Sequence, residues 1–280
     1  MDDPVEKSPS AWQPFTPRGV AAFARASWKR LLLVQFVFAL LSAGVVILFL
    51  QQCWFPVIAQ AIEHLAPEGE IRTAKLNWQG DSPVSLAENR FLALTVDLEH
   101  TGTVRSPAHV QLEFGQSNVK FLSLLGSLKE SYPAGWRISF NRSELGPWWG
   151  AWGPPILAIA GGIVVMGLLF SWTILASLYC LPIWLVGFFA NRDLSLSGSW
   201  RLAGAALMPG AIFFSAAIVS YAFGVLDLIR LATAAGGHII IGWVYLLAAT
   251  LASPCHPGIA FEKGNPFQQG QRGQDSSERS

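Results

Sequence analysis

The sequence is short of charge. Only 13% of its 280 residues are Asp, Glu, Lys or Arg, against about 25% in an ordinary soluble domain. The charges nearly cancel to a formal net charge of +1, so the chain has no basic field that would attract nucleic acid. Hydrophobic residues make up 52%. This composition predicts several membrane spans together with a modest soluble part.

Cysteine and the common catalytic motifs are also scarce. Cys53, Cys180 and Cys255 lie far apart in the chain, so they predict no disulfide framework, and none has metal-ligand spacing with another. The HExxH, GxSxG, P-loop and GxGxxG patterns do not occur. The usual sequence signatures of zinc hydrolases, serine hydrolases and nucleotide-binding proteins are therefore missing.

One long stretch has no charged residue and no histidine. Residues 155–190 contain no Asp, Glu, Lys, Arg or His. As a helix rising about 1.5 Å per residue, the run would exceed a hydrocarbon core of about 30 Å. It is too long for one plain span and barely long enough for two.

A first span is expected at residues 31–50, where Gln35 and Ser42 are the only polar side chains. Residues 1–30 form the N-terminal segment before it. This segment lacks the cleavage pattern of a secretory signal, so the first span is expected to be a retained signal anchor.

Residues 15–30 of that segment predict a short helix with a basic side formed by Arg18, Arg25 and Lys29. Such a helix could lie on an anionic leaflet, with Val20 and Phe23 on its other side. Alternatively, it is only the positive flank that orients the first span. Both interpretations place the N-terminus in the cytoplasm.

Residues 51–153 predict a soluble domain, because charges of both signs return there with Pro and Gly. Residues 54–65 favour a helix that leaves the first span. The remaining pattern is mostly β, with a hairpin loop at 115–118. The strand candidates are residues 70–78, 91–98, 109–114, 119–125 (a strand or a helix start) and 136–140.

A group of tryptophans and prolines marks the return of the chain to the membrane. Indole rings favour the membrane–water interface, and a carbohydrate-stacking platform is the alternative interpretation. The prolines are expected to stop the preceding chain, with Pro155 in the first turn of the next helix. These residues are Trp148, Trp149, Trp152, Pro147, Pro154 and Pro155.

Residues 154–252 are expected to hold three spans. The long run is the first, residues 202–223 with Pro209 are the second, and residues 237–252 are the last. The last span is short unless it also includes part of residues 225–235. In that segment Asp227 and Arg230 predict an ion pair on a helix. Residues 253–280 are polar and predict a disordered tail.

The positive-inside rule decides how often residues 155–190 cross. With one crossing, Arg192 and Arg201 lie in the cytoplasm with the tail, and only Arg230 lies in the far loop. Two crossings would invert these assignments and break the rule. One crossing is therefore expected, with a bend near Pro182 and residues 179–190 along or beyond the cytoplasmic interface.

The expected fold class is thus a membrane α-helical bundle of four transmembrane helices. An extracytoplasmic, mostly β (α+β) domain is inserted between the first and second spans, and both termini are cytoplasmic.

The candidate chemical groups do not converge. On a strand, Asp97 and Glu99 would share a face and His100 would point away, which suits no shared metal site. Cys255 and His256 are adjacent, and no second Cys/His pair completes a tetrahedral site. His238 is expected near the outer end of its span, as an interfacial hydrogen-bonding group or a proton relay. The sequence predicts no catalytic, cofactor-binding or metal-binding residue.

Two segments carry a family resemblance. They are residues 191–201, which lead into a span with Pro209 and Gly210, and the later span with His238, Trp243 and Tyr245. They resemble an uncharacterised bacterial domain-of-unknown-function family of polytopic inner-membrane proteins, some associated with maltodextrin utilisation. The layout is also distantly similar to Yip-type membrane proteins of vesicle traffic. The resemblance implies a bacterial inner membrane and supplies no catalytic residues.

The leading hypothesis is a non-enzymatic sensor or scaffold whose extracytoplasmic domain contacts an envelope partner or ligand. The expected partners are the lipid bilayer and either another membrane or envelope protein or a second copy of the chain; no cofactor or nucleic acid is expected. The alternative is a component of a small-solute transport system, with a path between the Pro-kinked second and third spans. An envelope hydrolase would require Asp97 or Glu99 to be essential.

Overall fold

The computed structural model describes residues 13–124 and 126–255. Residues 1–12 lie outside the described residues. The tail from His256 onward also lies outside them, so the disorder predicted for it is not tested. The helices are α1 (Pro17–Ala22), α2 (Trp28–Phe49), α3 (Phe55–Glu63), α4 (Arg142–Phe189), α5 (Leu196–Ala206), α6 (Met208–Ala222) and α7 (Leu228–Ala252). The strands are β1 (Gly69–Arg72), β2 (Lys75–Trp78), β3 (Val84–Glu88), β4 (Leu92–Val96), β5 (Val110–Phe114), β6 (Asn118–Ser123), β7 (Gly126–Ser131) and β8 (Arg137–Ser139).

Four helical stretches in the described part of the chain are long and apolar enough to cross a membrane, judged by length and composition. They are Trp28–Glu63, Arg142–Phe189, Leu196–Ala222 and Leu228–Ala252. A helical bundle with a sheet domain between its first two long helices is therefore confirmed.

The first long stretch is continuous from α2 to α3 through a π-helical segment, Leu50–Trp54. In that segment the Phe55 N–H donates to the Leu50 carbonyl, five residues back. Pro56 follows and has no N–H of its own, so a regular helical hydrogen bond is missing there. The predicted helix at residues 54–65 corresponds to α3, which continues directly from the first span.

Helix α4 is longer than expected and begins earlier. The Asn141 side chain accepts a hydrogen bond from the Glu144 N–H at 3.0 Å and caps the helix there. The 48 residues give a length of about 72 Å.

The three prolines near the start of α4 therefore lie inside the helix. The prediction that they stop the preceding chain, with Pro155 in a first turn, is wrong. A proline removes one hydrogen bond and can be accommodated within a helix whose cap and apolar run both favour continuation. The four prolines inside α4 are Pro147, Pro154, Pro155 and Pro182.

The two remaining predicted spans also have different bounds. The span predicted at 202–223 consists of α5 and α6, which meet at Leu207, with Pro209 at the start of α6. Helix α7 begins at Leu228, where Asp227 caps it by accepting from the Arg230 N–H at 2.7 Å. The predicted ion pair between Asp227 and Arg230 is present at 3.6 Å.

The sheet domain holds a three-stranded sheet in the order β2-β1-β8 and a five-stranded sheet in the order β3-β4-β5-β6-β7. The strand predicted at 70–78 is the hairpin β1–β2, which turns at Thr73 and Ala74 with positive φ. The hairpin predicted around 115–118 is confirmed by the antiparallel pairing of β5 and β6. Strands β3 and β7 were not predicted.

Strands β4 and β5 pair in parallel, so the chain must cross back over the sheet between them. The residues between these strands form a crossover loop, residues 97–109. This loop covers the side of the sheet that carries Thr95, Gln111 and Glu113, and all three side chains are buried. Helix α3 and the smaller sheet contribute to the apolar core on the other side.

Three parts of the chain gather at the end of the bundle opposite the sheet domain. Arg25 forms an ion pair with Asp193 at 2.8 Å, and Arg201 donates to the Ala26 carbonyl at 2.6 Å. Arg192 donates to the Ser253 carbonyl at 3.0 Å. The N-terminal flank, the α4–α5 loop and the end of α7 are therefore neighbours.

The helix predicted at 15–30 is broken into α1, a 3₁₀ turn and the start of α2. Val20 and Phe23 are fully buried in the bundle core. The apolar side of this segment packs on protein, so it does not offer these two side chains to a leaflet.

Close packing of α6 on α7 depends on Gly210. A Cβ at this position would lie 2.5 Å from the His238 carbonyl oxygen, which belongs to the backbone and cannot rotate away. We expect Gly210→Ala to force the two helices apart and lower the free energy of unfolding by about 1–3 kcal/mol. Thermal unfolding of the full chain in detergent measures this loss.

The matched control is Gly162→Ala in α4, where a Cβ has no other atom within 4 Å. That substitution should leave stability unchanged or raise it by up to about 1 kcal/mol through helix propensity. Equal effects at the two positions would contradict the proposed close packing.

Candidate functional site

The sheet domain meets the helical bundle at a cluster of four aromatic rings from separate parts of the chain. Phe49 comes from the end of α2, Phe91 precedes β4, His109 precedes β5, and Tyr221 is near the end of α6. Ring centroids are 5.0 Å apart for Phe91 and Tyr221, and 5.6 Å for Phe49 with each of them. Such ring pairs each add about 0.5–1.5 kcal/mol beyond simple burial.

His109 joins this cluster through both its ring and its backbone. The ring stacks on Tyr221 with centroids 5.4 Å apart, and His109 Nδ1 lies 2.5 Å from the Tyr221 hydroxyl. The His109 N–H donates to the Arg90 carbonyl at 3.0 Å, just where the parallel pairing of β4 and β5 begins. A movement of α6 therefore reaches the first residues of both strands.

Arg90 forms the second link between the sheet domain and the bundle. Its two terminal nitrogens donate to the carbonyls of Gly224 at 3.2 Å and Leu226 at 2.8 Å, in the loop between α6 and α7. Gly224 has φ +76, and a Cβ there would lie 2.7 Å from Arg90 Nη1. Glycine at 224 thus permits both the left-handed backbone and the close approach of the guanidinium.

Asn89 forms the third link, to the first long helix. Its side-chain nitrogen donates to the Cys53 carbonyl at 2.7 Å, inside the π-helical segment. Its side-chain oxygen accepts from the N–H groups of Phe91 and Leu92 at 2.8 and 2.9 Å. One loop therefore holds α2, α6 and the sheet together. We call residues 89–91, His109, Tyr221 and the 224–227 loop the junction.

The charges around His109 favour its neutral form. Burial lowers the pKa of the imidazole below its ordinary value of 6.5, the Arg90 guanidinium lowers it further, and the Asp227 carboxylate partly opposes both. A proton added to His109 would therefore work against the docking of the sheet domain.

The polar residues Asp97, Glu99 and His100 lie in a turn and not on a strand. Strand β4 ends at Val96, so Asp97, Glu99 and His100 lie in a turn, with His100 at φ 55. The strand-face argument for these residues is therefore wrong. The parallel crossover to β5 turns the chain at this point.

The turn brings His100 to residues that are distant in sequence. His100 Nδ1 lies 2.5 Å from Glu113 Oε1, and its Nε2 lies 2.7 Å from Asn118 Oδ1. Lys120 Nζ is 3.7 Å from the same Glu113 oxygen. Glu113 is buried, and the sequence reasoning had not singled it out.

Asp97 holds the start of the crossover loop. Its Oδ2 accepts from the Thr101 hydroxyl and the Gly102 N–H, both at 2.9 Å. Burial alone would raise the pKa of Asp97, but hydrogen bonds from Gly102 and Thr101 and the nearby His100 lower it overall. These polar contacts fasten the loop onto the sheet.

The described residues form no cluster that could bind a metal ion. Across residues 13–124 and 126–255, no group of three or more His, Cys, Asp or Glu side chains is placed to hold a metal ion. Cys255 is exposed, and His256 lies outside the described residues.

His238 lies deeper in its helix than expected. Because α7 begins at Leu228, His238 is near its middle, and the prediction of a position near the outer end is wrong. Its Nδ1 donates to the Ala235 carbonyl, and its ring stacks on Phe214 with centroids 5.4 Å apart. It lines a cavity of about 210 Å³ between α2, α4, α6 and α7, where Ser215 donates to Ser42 at 3.0 Å.

Sequence reasoning missed Arg90 and Tyr221 as site residues. The contacts of Arg90 span 134 and 136 positions, and the contact between His109 and Tyr221 spans 112. No local pattern signals contacts over such distances. An arginine between Asn89 and Phe91 indicates only a polar turn before a strand.

Comparison of the chain with protein-family models, with curated proteins and with solved structures gave no match. The resemblance to a bacterial inner-membrane family stays a prediction from the sequence.

The pKa of His109 predicts a pH-dependent junction. Because the folded-state pKa lies below 6.5, the unfolded chain takes up the proton first as the pH falls. The stability contributed by neutral His109 is complete above about pH 6.5 and is lost as the pH falls through the folded pKa. His109→Gln, which cannot titrate, should therefore lose less stability than the wild type between about pH 8 and pH 5.5.

Thermal unfolding of the full chain across this pH range measures the difference. The exposed His64, at the C-terminal cap of α3, provides the control, since His64→Gln makes the same substitution away from the junction. Parallel pH profiles for wild type and His109→Gln would contradict the role given to His109.

Proposed function

We propose that this chain is a non-enzymatic integral protein of a bacterial inner membrane. Its sheet domain lies outside the cytoplasm and receives contact with an envelope partner or ligand. The junction passes that contact to the helical bundle. The observation that carries the proposal is the junction itself, where one loop of the sheet domain binds the ends of α2 and α6.

The orientation follows from the distribution of positive charge. Arg25, Lys29 and Arg30 flank the start of α2, and Arg192 and Arg201 lie at the same end of the bundle through the contacts of Arg25 and Arg201. By the positive-inside rule this end faces the cytoplasm. The sheet domain, at the opposite end, is then extracytoplasmic, and α4 crosses once.

A sensing or scaffolding role fits the way the polar groups are used. Asp97, His100 and Glu113 are engaged in holding the crossover loop, and each is hydrogen-bonded within the domain. A hydrolase would need such groups to face a substrate. The same contacts tie the crossover loop to the strands that begin at Arg90 and His109, which gives a route from the sheet to the junction.

Topology can be tested with a cysteine at position 197, in α5 near the arginine-rich end. Ser197 is exposed. Cys53 is buried, and Cys180 and Cys255, the two thiols that are not buried, are replaced by serine. In intact cells, Ser197→Cys should resist a membrane-impermeant thiol reagent and react only after lysis. Labelling from outside intact cells would contradict the four-span orientation.

Transmission can be tested with Arg90→Ala, which removes the hydrogen bonds to the 224–227 loop. The full chain is cross-linked in its native membrane and purified together with any envelope protein bound to it. Each recovered protein, and each candidate ligand, is then tested for whether it raises the unfolding temperature of the full chain. In the wild type, binding should slow hydrogen exchange in that loop. In Arg90→Ala the partner should still bind, but the exchange should no longer respond.

Arg105→Ala is the matched control, because Arg105 is an exposed arginine of the crossover loop, away from the junction. It should behave as the wild type. If no stabilising partner or ligand is recovered, the sensor proposal fails. If exchange responds equally in Arg90→Ala, the junction does not transmit.

A second candidate, a component of small-solute transport, is favoured by the cavity that His238 lines. A histidine at mid-depth beside a cavity between four candidate spans is the kind of group that transport proteins use. Solute uptake into proteoliposomes that is lost in His238→Ala would favour transport over sensing.

A further inference from the structure

The hairpin of β6 and β7 exposes large apolar side chains that nothing in the described part of the chain covers. Leu124 at its turn is 70% exposed, Leu128 on β7 is 63% exposed, and Phe121 on β6 is 40% exposed. Phe121 and Leu128 are directly paired across the two strands and so lie on the same face. Single exposed apolar residues are ordinary, but a group at one hairpin tip marks an interaction surface.

Strand directions locate this tip relative to the bundle. Strands β4 and β5 both start at the junction, where Phe91 and His109 touch Tyr221, and run away from it. Strand β6 runs back, because Ser123 pairs with Val110, the first residue of β5. The turn at Leu124 is therefore level with His109, at the bundle side of the sheet.

The tip lies on the side of the sheet away from β4, beyond the strands that contact α6. Strands are spaced about 4.8 Å apart, so β6 and β7 lie about 5 and 10 Å beyond β5, the strand that reaches Tyr221 through His109. At the same level, Phe223 and Val225 in the loop after α6 are also exposed. Two unconnected segments thus present apolar side chains at the level where α6 ends.

Two lysines lie one residue farther from the turn than Phe121 and Leu128, on the other face of the hairpin, because successive strand residues alternate between faces. Lys120 and Lys129 are opposite each other in the β6–β7 pairing, three residues from the ends that flank the turn, which is about 10 Å along the strands. Lys120 is near Glu113, whereas Lys129 has no carboxylate within ion-pair distance among the described residues. On the face of Leu128 the next side chain away from the turn is the exposed Glu130, so the cation is presented from the Lys129 face alone. For a hairpin that stands upright with both faces in the interface, apolar side chains near the turn and Lys129 farther along match the layers of an anionic lipid surface.

We propose that the β6–β7 hairpin tip docks on the anionic lipid surface beside the bundle, with Leu124 and Leu128 in the interfacial layer and Lys129 at the headgroup phosphates. This inference rests on the proposed membrane location of the bundle. It adds a contact that fixes the outer half of the sheet, so that the sheet domain is held by lipid at one side and by the junction at the other.

The test is the depth of a nitroxide at position 124. The full chain with Leu124→Cys, and with Cys180 and Cys255 replaced by serine, is reconstituted in bilayers of phosphatidylcholine with phosphatidylglycerol. Collisions of the label with oxygen, which concentrates in lipid, are compared with collisions with a water-soluble nickel chelate. The label at 124 should favour oxygen, and a label at the exposed Ser131, at the far end of β7, should favour the chelate.

Two variants probe the chemistry with the label kept at 124. Leu128→Asp places a charge at an exposed position of the tip and should move the label into water. Lys129→Gln removes one cation near an anionic surface. It should lower the ratio of docked to free tip by on the order of fivefold. That loss should vanish in bilayers of phosphatidylcholine alone.

A label at Met166, which is exposed in the middle of α4, separates the two proposals. If Met166 is in water, the membrane location itself fails. If Met166 is in lipid and Leu124 is as accessible to the chelate as Ser131, only the docking of the hairpin is overturned. Spin–spin broadening between labels at 124 would instead show a second copy covering the tip, which also overturns lipid docking.

Discussion

The binding of Arg90 to the loop between α6 and α7 is the contact on which the arrangement of the two parts depends. The sheet domain follows α3 and precedes α4, so two helices already connect it to the bundle. Two connections still leave the sheet free to turn about the line that joins them. Arg90, with His109 on Tyr221, supplies a third point away from that line. Three such points fix a rigid body, and the direction of every strand then follows.

The parallel pairing of β4 and β5 explains why the third point lies where it does. Parallel strands begin at the same edge of a sheet, so Phe91 and His109 arrive together at the end of α6. The same pairing requires a crossover loop, which is fastened by Asp97 and by His100 on Glu113. The contacts of the buried charged groups of the domain are thus accounted for by its topology.

The parts that could be predicted from the sequence are those decided by nearby residues. Charge-free runs mark the candidate spans, and alternation marks β5 and the hairpin that follows it, because burial of one face acts residue by residue. The start of α4 was misplaced since the prolines were given more weight than the cap at Asn141. The junction and the partners of His100 could not be predicted, because they depend on how separate elements meet. The depth of His238 was misjudged for a local reason: α7 begins nine residues earlier than the span expected at 237–252.

Helix α4 has a mechanical consequence through its length. At about 72 Å it is more than twice as long as a hydrocarbon core of about 30 Å, and it runs unbroken from Asn141, beside the small sheet, to Phe189. Placed across the bilayer as proposed, such a helix acts as a lever arm that pivots where the lipid holds it. A tilt of about 5° displaces one end by about 6 Å relative to the other, roughly one helical turn. Rotations of the sheet domain too small to disturb its core would therefore become visible displacements at the arginine-rich end.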